Sequence, residues 1–171
     1  MNKENYKIRL KNITTFIFDV DGVLTDGKLL ITSNGEILRL MDAKDGFAMK
    51  YAIDKGFKIS IISGGKDESI RKRIEKLGIN DIYLDSHNKI DSYNHLLNKY
   101  KLSANNILYM GDDIPDIPVM EKVGISSCPQ DAVTDVKIKA DYISHKNGGN
   151  GCVREIIEQV LRVQKKWKYT N

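Results

Sequence analysis

Short apolar runs recur along the chain, each bounded by polar or turn-forming residues. Residues 13–20 contain Phe16-Ile17-Phe18, a run typical of a strand buried on both faces of a parallel sheet. The sequence predicts further strands of the same kind at residues 58–62, 82–84, 107–110 and 124–127.

Segments with apolar residues at broadly helical spacing lie between these strands. They predict helices at residues 45–55, 67–77, 89–100, 116–123 and from about 152 to 167. Gly56 and Gly78 follow the first two, as is common at helix ends. Strands alternating with helices imply right-handed crossovers and helices on both faces of the sheet. We therefore predict an α/β fold with a three-layer, Rossmann-like core around a parallel sheet.

One segment departs from this alternation. Residues 29–32 and 36–40 are strand-like and flank Ser33-Asn34-Gly35. Asn-Gly favours the positive φ angles of a tight hairpin turn. A small β-hairpin is therefore expected to project from the core as a flap.

Composition supports a single globular domain over residues 1–171. The chain is 41% hydrophobic and 29% charged, has three prolines, and shows no linker or internal repeat. The longest unbroken apolar run is residues 107–110, far short of the roughly twenty residues of a membrane span. The polar N-terminus leads us to expect a cytoplasmic protein without membrane contact.

The distribution of charge and cysteine removes two further classes. The net charge is +4, but the terminal segments 1–11 and 162–171 together carry +7, so the middle of the chain is at −3. A nucleic-acid-binding protein would carry basic residues over its folded body, so no nucleic-acid partner is expected. Cys128 and Cys152 lack the spacing of a disulfide framework or zinc site, which favours reduced thiols.

Polar residues follow the predicted strands, at the edge where open parallel sheets bind ligands. They are Asp19, Asp21 and Thr25 after the first strand, Ser63, Gly64 and Gly65 after the second, Lys89 at the start of a helix, and Asp112, Asp113 and Asp116 after the fourth. Five carboxylates at one edge favour a bound Mg²⁺, the cation best suited to all-oxygen ligation. Helix caps and solvated loop acids are the alternative explanation.

These residue types suit phosphoryl transfer. Asp19 can attack phosphorus and form an aspartyl-phosphate, while Asp21 serves as general acid and then general base. Ser63 and Lys89 would bind and neutralise the transferring group, and Asp112 would complete the metal shell. A signalling receiver module has a similar set of residues. It must retain its phosphate, however, and Asp21 provides a route to rapid dephosphorylation.

Four motifs in order carry a family resemblance: Asp19-Val20-Asp21-Gly22-Val23-Leu24-Thr25, Ser63-Gly64, Lys89, and Gly111-Asp112-Asp113-Ile114-Pro115-Asp116. The set resembles the signature of the haloacid dehalogenase-like phosphatases. The resemblance implies metal ligation by Asp19, by Asp112 and by the main-chain carbonyl of Asp21. It leaves Gly64, Asp113 and Asp116 as accessory residues.

The short spacing between the first two motifs leaves room only for the hairpin, at about residues 27–42, and one helix, so no inserted cap domain is expected. Small capless members commonly close their site with a neighbouring subunit, which leads us to expect a homotetramer. Residues 44–48, 111–120 and 148–155 extend the resemblance to the branch that dephosphorylates 3-deoxy-D-manno-octulosonate 8-phosphate for lipopolysaccharide biosynthesis. A nine-carbon, sialic-type sugar phosphate is the alternative substrate.

An acidic sugar phosphate needs basic and polar residues beyond Lys89. The candidates are Thr25, Lys44, Lys66, Arg73, Lys76 and Arg154. Lys44 and Gly65 occupy positions where many relatives of this branch have arginine, so the resemblance supports carboxylate recognition less than the catalytic roles. The glycine run at residues 148–151 is either a tail that folds over a neighbour's substrate or a loop ahead of the last helix.

Overall fold

The computed structural model describes residues 5–169 and contains a six-stranded parallel sheet. The strands of the sheet are β1 (Thr15–Phe18), β4 (Lys58–Ile62), β5 (Asp81–Tyr83), β6 (Ile107–Met110), β7 (Ile125–Cys128) and β8 (Tyr142–Ile143), and the hairpin between the first two contributes β2 (Leu30–Ile31) and β3 (Ile37–Leu38). The spatial order is β5-β4-β1-β6-β7-β8. The strands β4, β5, β6 and β7 lie within one residue of their predicted bounds, whereas β1 is two residues shorter at each end.

Helices cover both faces of the sheet, which confirms the three-layer prediction. They are α1 (Tyr6–Arg9), α2 (Ala43–Asp54), α3 (Glu68–Glu75), α4 (Lys89–Tyr100), α5 (Ile117–Met120), α6 (Thr134–Lys139) and α7 (Cys152–Val163). Side chains alternate across β1, so Phe16 and Phe18 belong to the core beneath α2, α3 and α7, whereas Ile17 belongs to the core beneath α4, α5 and α6. Both cores are fully buried and hold the strand ends in place.

Three predicted helices are shorter than expected, and the first of them, α3, covers residues 68–75 of the predicted 67–77. In place of the helix predicted at residues 116–123, the chain forms a 3₁₀ turn at Ile114–Asp116 followed by the short helix α5. Pro115 and Pro118 each lie in the first turn of one of these elements, the position that proline suits. The last helix ends at Val163 rather than near 167. Lys165 adopts a left-handed φ of 56°, and the chain turns back so that Trp167 packs on the core.

The hairpin forms as predicted, with Leu30 opposite Leu38 and Ile31 opposite Ile37. Gly35 supplies the positive φ, 83°, that the turn requires. The hairpin is small and leaves its apolar side chains exposed. Within residues 5–169 no further domain is inserted above the sheet edge, and none of their helices combines the length and apolarity required to cross a bilayer.

Candidate active site

The central position of β1 brings the first and last motifs together. β1 pairs with β6 on one side and β4 on the other, so the loops after these three strands meet at one edge. A cavity of about 450 Å³ opens there. Its walls include Asp19, Asp21, Ser63, Gly64, Lys89, Asp112 and Asp113. The convergence expected from the sequence is therefore present in the fold.

Lys89 lies at the centre of the buried charges. Its Nζ atom is 2.8 Å from Asp19 Oδ2 and 2.7 Å from Asp116 Oδ1. All three side chains are almost fully buried. Burial disfavours the charged ammonium, but the two carboxylates outweigh it and raise the pKa of Lys89 above its ordinary value. Lys89 is therefore a fixed positive charge beside Asp19.

Asp116 is a fully buried anchor whose two oxygens accept four hydrogen bonds. Oδ1 accepts from Lys89 and from the hydroxyl of Tyr109, and Oδ2 accepts from the backbone N–H groups of Asp112 and Asp113 at 3.0 and 3.2 Å. Asp116 therefore holds Lys89 and the loop that carries Asp112 and Asp113 in a fixed position relative to each other. Because its oxygens already have donors, direct metal ligation would require the loss of these bonds.

Asp19 and Asp112 have fewer donors: Asp19 accepts the N–H of Val20 on Oδ1 at 2.7 Å and pairs with Lys89 through Oδ2. Burial raises the pKa of Asp19 to about 7, assisted by the charge of Asp116 and opposed by Lys89. Burial and the charges of Asp19 and Asp116 raise the pKa of Asp112 to about 8. Among the described residues, no donor reaches the buried Oδ1 atom of Asp112. A cation is the missing partner.

The donor set fits Mg²⁺. Oxygens of Asp19, Asp112 and Asp116 lie within 4.8 Å of one another, and because the oxygens of Asp116 already accept hydrogen bonds, Asp19 and Asp112 are the candidate direct ligands. Gly22, with a φ of 83°, passes so close that a Cβ there would lie 2.0 Å from Asp112 Oδ2. Only glycine admits this approach. Ligation by the Asp21 main-chain carbonyl stays a prediction.

Ser63 and Asp21 form the opposite side of the cavity. Ser63 is buried and its Oγ accepts the N–H of Gly65 at 3.2 Å, so its hydroxyl proton can be directed to a phosphoryl oxygen. The Asp21 carboxylate lies at the cavity wall, where its side chain is 35% exposed. It pairs with Arg39, a residue that the sequence analysis did not select.

Several residues predicted to bind substrate lie elsewhere. Thr25 is fully buried, and its Oγ accepts the N–H groups of Gly22 and Gly27, so it shapes the first-motif loop and does not face the cavity. Thr25 does not line the cavity of its own chain, so its assignment to substrate binding stays a prediction that this position does not support. Lys66 is 79% exposed near the cavity rim and pairs with Asp85 at 3.3 Å.

The remaining basic candidates lie outside the cavity of their own chain. Arg73 lines a separate hollow with Phe47, and Lys76 is exposed at the end of α3. Lys44 and Arg154 line a third hollow, where Arg154 pairs with Glu158 at 2.6 Å. None of these four residues lines the Asp19 cavity of its own chain.

The glycine run at residues 148–151 is a packed loop. The N–H of Gly149 bonds to the carbonyl of Val23 at 2.9 Å, and a Cβ on Gly148 would lie 1.9 Å from the carbonyl oxygen of Gly22. The run therefore supports the first-motif loop of its own chain. In this structure it does not extend as a free tail, which agrees with the alternative of a loop ahead of the last helix.

Sequence reasoning missed three contributors to the site. Tyr109 occupies a core position of β6, where nothing local distinguishes it from a packing residue. Arg39 lies 18 residues from its partner Asp21, in a hairpin whose direction no pattern specifies. His87 lines the cavity mouth and is 83% exposed. Only its proximity to Lys89 in the sequence hinted at this position.

Comparison with known proteins agrees with this geometry. Residues 78–156 match the family model for haloacid dehalogenase-like hydrolases. The 3-deoxy-D-manno-octulosonate 8-phosphate phosphatase KdsC of Salmonella typhi is 39% identical over 158 residues, covering 92% of this chain and 84% of that protein. KdsC of Escherichia coli K12 is 38% identical over the same coverage.

Solved structures agree as well. The corresponding phosphatase of Yersinia pestis superposes with a TM-score of 0.93 at 33% identity, covering 95% of this chain and 88% of that one. The enzyme of Moraxella catarrhalis, solved with magnesium, phosphate and KDO, gives a TM-score of 0.90 at 30% identity, with 93% and 91% coverage. On these similarities and the catalytic edge described above, the chain belongs to the 3-deoxy-D-manno-octulosonate 8-phosphate phosphatase family of haloacid dehalogenase-like hydrolases.

Proposed function

We propose that the chain hydrolyses 3-deoxy-D-manno-octulosonate 8-phosphate to 3-deoxy-D-manno-octulosonate and inorganic phosphate. The observation that carries this proposal is the pairing of buried Asp19 with Lys89 at 2.8 Å beside Asp112, at an open cavity. A carboxylate next to a fixed cation and an unpaired second carboxylate suits attack on a phosphate ester. The similarity to KdsC proteins supplies the substrate.

The reaction proceeds in two displacements. A carboxylate oxygen of Asp19 attacks phosphorus, the bond from phosphorus to the sugar oxygen breaks, and Asp21 donates a proton to that oxygen. Water then attacks the aspartyl-phosphate and transfers a proton to Asp21, and cleavage of the acyl phosphate bond frees Asp19 and inorganic phosphate. Each displacement leaves Asp21 in the protonation state that the other displacement requires.

Several side chains assist the two displacements. Lys89 offsets negative charge on the transferring group, and Ser63 donates a hydrogen bond to it. Asp19 and Asp112 would hold Mg²⁺, which supplies positive charge for binding the phosphate group. Asp116 keeps Lys89 and the Asp112 loop in register through its four hydrogen bonds.

The test is magnesium-dependent release of phosphate from a panel of eight-carbon and nine-carbon ulosonate phosphates and hexose phosphates. Asp19→Asn should abolish turnover, because an amide oxygen is a poor nucleophile. Asp135→Asn, an exposed acid on α6, is the matched control and should retain wild-type activity. Preference for a nine-carbon substrate would replace the substrate assignment. Activity in Asp19→Asn would overturn the mechanism.

We further propose that the hairpin packs against a second copy of this chain within a homotetramer. Leu30, Ile31 and Leu40 are 65, 67 and 85% exposed, a concentration of apolar surface that is unusual for a lone protomer. An isolated two-stranded hairpin is also only marginally stable in water. A neighbouring copy would cover this surface and narrow the open cavity.

Sedimentation analysis tests this assembly. The wild type should sediment as four chains of 19.4 kDa, and Ile31→Asp with Leu40→Asp should dissociate it. Ile138→Asp, at an equally exposed position on α6, should leave the tetramer intact. A fully active monomeric wild type would contradict the proposal. We also propose that the enzyme works in the cytoplasm, since Cys128 and Cys152 are buried free thiols.

A further inference from the structure

Arg39 connects the hairpin to the cavity. It follows β3 directly, and its side chain is only 9% exposed. Its Nε and Nη2 atoms donate to the two carboxylate oxygens of Asp21 at 2.7 and 3.2 Å. A bidentate pair of this kind fixes both the position and the plane of a carboxylate.

The guanidinium is itself anchored on its other side. Its Nη1 donates to Asp67 Oδ2 at 3.0 Å. Asp67 caps the start of α3, where its Oδ1 accepts the N–H and hydroxyl of Ser69 at 2.8 and 2.7 Å. Hydrogen bonding to Asp21 raises the pKa of Arg39 despite its burial. The ion pair between Arg39 and Asp21 is therefore held in one geometry by Asp67, unlike ion pairs between solvent-exposed side chains.

Gly65 leaves the space that this pair occupies. A Cβ at this position would lie 3.3 Å from Asp21 Oδ2 and 3.5 Å from Arg39 Nη2. A longer side chain that follows the Ser63-Gly64 motif would compete with the guanidinium for the same volume. The contact between Arg39 and Asp21 therefore depends on glycine at position 65.

We propose that Arg39 is a positioning residue that holds the Asp21 carboxylate in the orientation required for proton transfer, an inference that rests on the proposed phosphatase activity. A general acid must lie within about 3 Å of the atom it protonates. The Asp21 side chain, partly exposed at the cavity wall, would otherwise rotate between staggered orientations. Arg39 acts through Asp21 and does not contact the reacting phosphorus.

A direct contact between Arg39 and the substrate predicts different kinetics. Loss of a substrate contact raises KM in any background, whereas loss of positioning lowers kcat and needs Asp21 to be present. The two explanations therefore separate in a double-mutant cycle between positions 39 and 21.

The experiment measures phosphate release from 3-deoxy-D-manno-octulosonate 8-phosphate by the full chain with Mg²⁺. Arg39→Met should lower kcat by about 10- to 100-fold, part of the contribution of a general acid, with KM changed less than about threefold. Arg39→Lys should recover part of the loss, because an ammonium restores charge but not the bidentate contact. Arg71→Met, which removes an arginine paired with Glu68 on α3, is the matched control and should leave kcat unchanged.

In the Asp21→Asn background, Arg39→Met should have no further effect on kcat. The inference would be overturned if Arg39→Met raised KM at an unchanged kcat. It would also be overturned if Arg39→Met lowered kcat as much in the Asp21→Asn background as in the wild type. If Arg39→Met melts at a lower temperature, Asp67→Asn provides a milder perturbation, and it should lower kcat about two- to fivefold at an unchanged KM. If the wild type does not release phosphate, the proposed function and this inference both fail. If the wild type is active and Arg39→Met has the same kcat, only the inference fails.

Discussion

Replacement of Tyr109 by phenylalanine isolates a single hydrogen bond of the buried network. Tyr109 is fully buried on β6, and its hydroxyl donates to Asp116. The substitution retains the ring and its packing, and removes only that donor. Asp116 would keep Lys89 and two backbone N–H groups as partners.

The magnitude follows from the charge of the acceptor. A buried hydrogen bond to an ionised group contributes about 1.5–3 kcal/mol, so the free energy of unfolding should fall by about 2 kcal/mol. In a chain of this size, that corresponds to a drop in Tm of about 4–8 °C. Catalysis should be affected much less, because Lys89 and the Asp112 loop retain their other contacts.

The matched control is Tyr93→Phe in the same buried core. Tyr93 is 1% exposed, but its hydroxyl has no hydrogen-bond partner among the described residues. Removal of an unsatisfied buried hydroxyl should leave stability unchanged or raise it by about 1 kcal/mol. Urea unfolding of both variants at equal protein concentration measures the difference. If Tyr109→Phe costs no more than Tyr93→Phe, Asp116 is not the anchor described here.

Two further predictions concern pH. The pKa values of Asp19 and Asp112, about 7 and 8, exceed those of unfolded carboxyls, so their contribution to metal-free stability is lost progressively as pH rises from about 4 and is fully lost above about 8. Mg²⁺ should therefore raise Tm more at pH 8.5 than at pH 6, and a pH-independent gain would contradict this. Burial raises the pKa of Asp45 to about 6, so the wild type loses stability as pH rises from about 4 to about 6, and Asp45→Asn should gain up to about 3 kcal/mol relative to wild type over that range in urea unfolding.

The boundaries of the fold show where local pattern is sufficient. The apolar runs locate the strands because a parallel strand buried on both faces must be apolar along its length. Helix ends were less accurate, since they depend on capping and proline. Asp42 caps α2 three residues before the predicted region begins, and Pro118 lies in the first turn of the short helix α5. Both signals were present in the sequence but competed with periodicity.

The sequence alone determined that Asp19, Ser63, Lys89 and Asp112 meet, because parallel strands direct their carboxyl ends to one edge. Only the tertiary structure decided the partners of these groups. The folded hairpin places Arg39 within hydrogen-bond distance of Asp21. The buried hydroxyl of Tyr109 donates a hydrogen bond to Asp116 and helps hold that carboxylate in place. Lys44, Arg73 and Arg154 line hollows other than the Asp19 cavity. The spacing of apolar residues indicates which residues are buried. Contacts between side chains that are distant in the sequence depend on how whole helices and strands pack, and no local pattern specifies that packing.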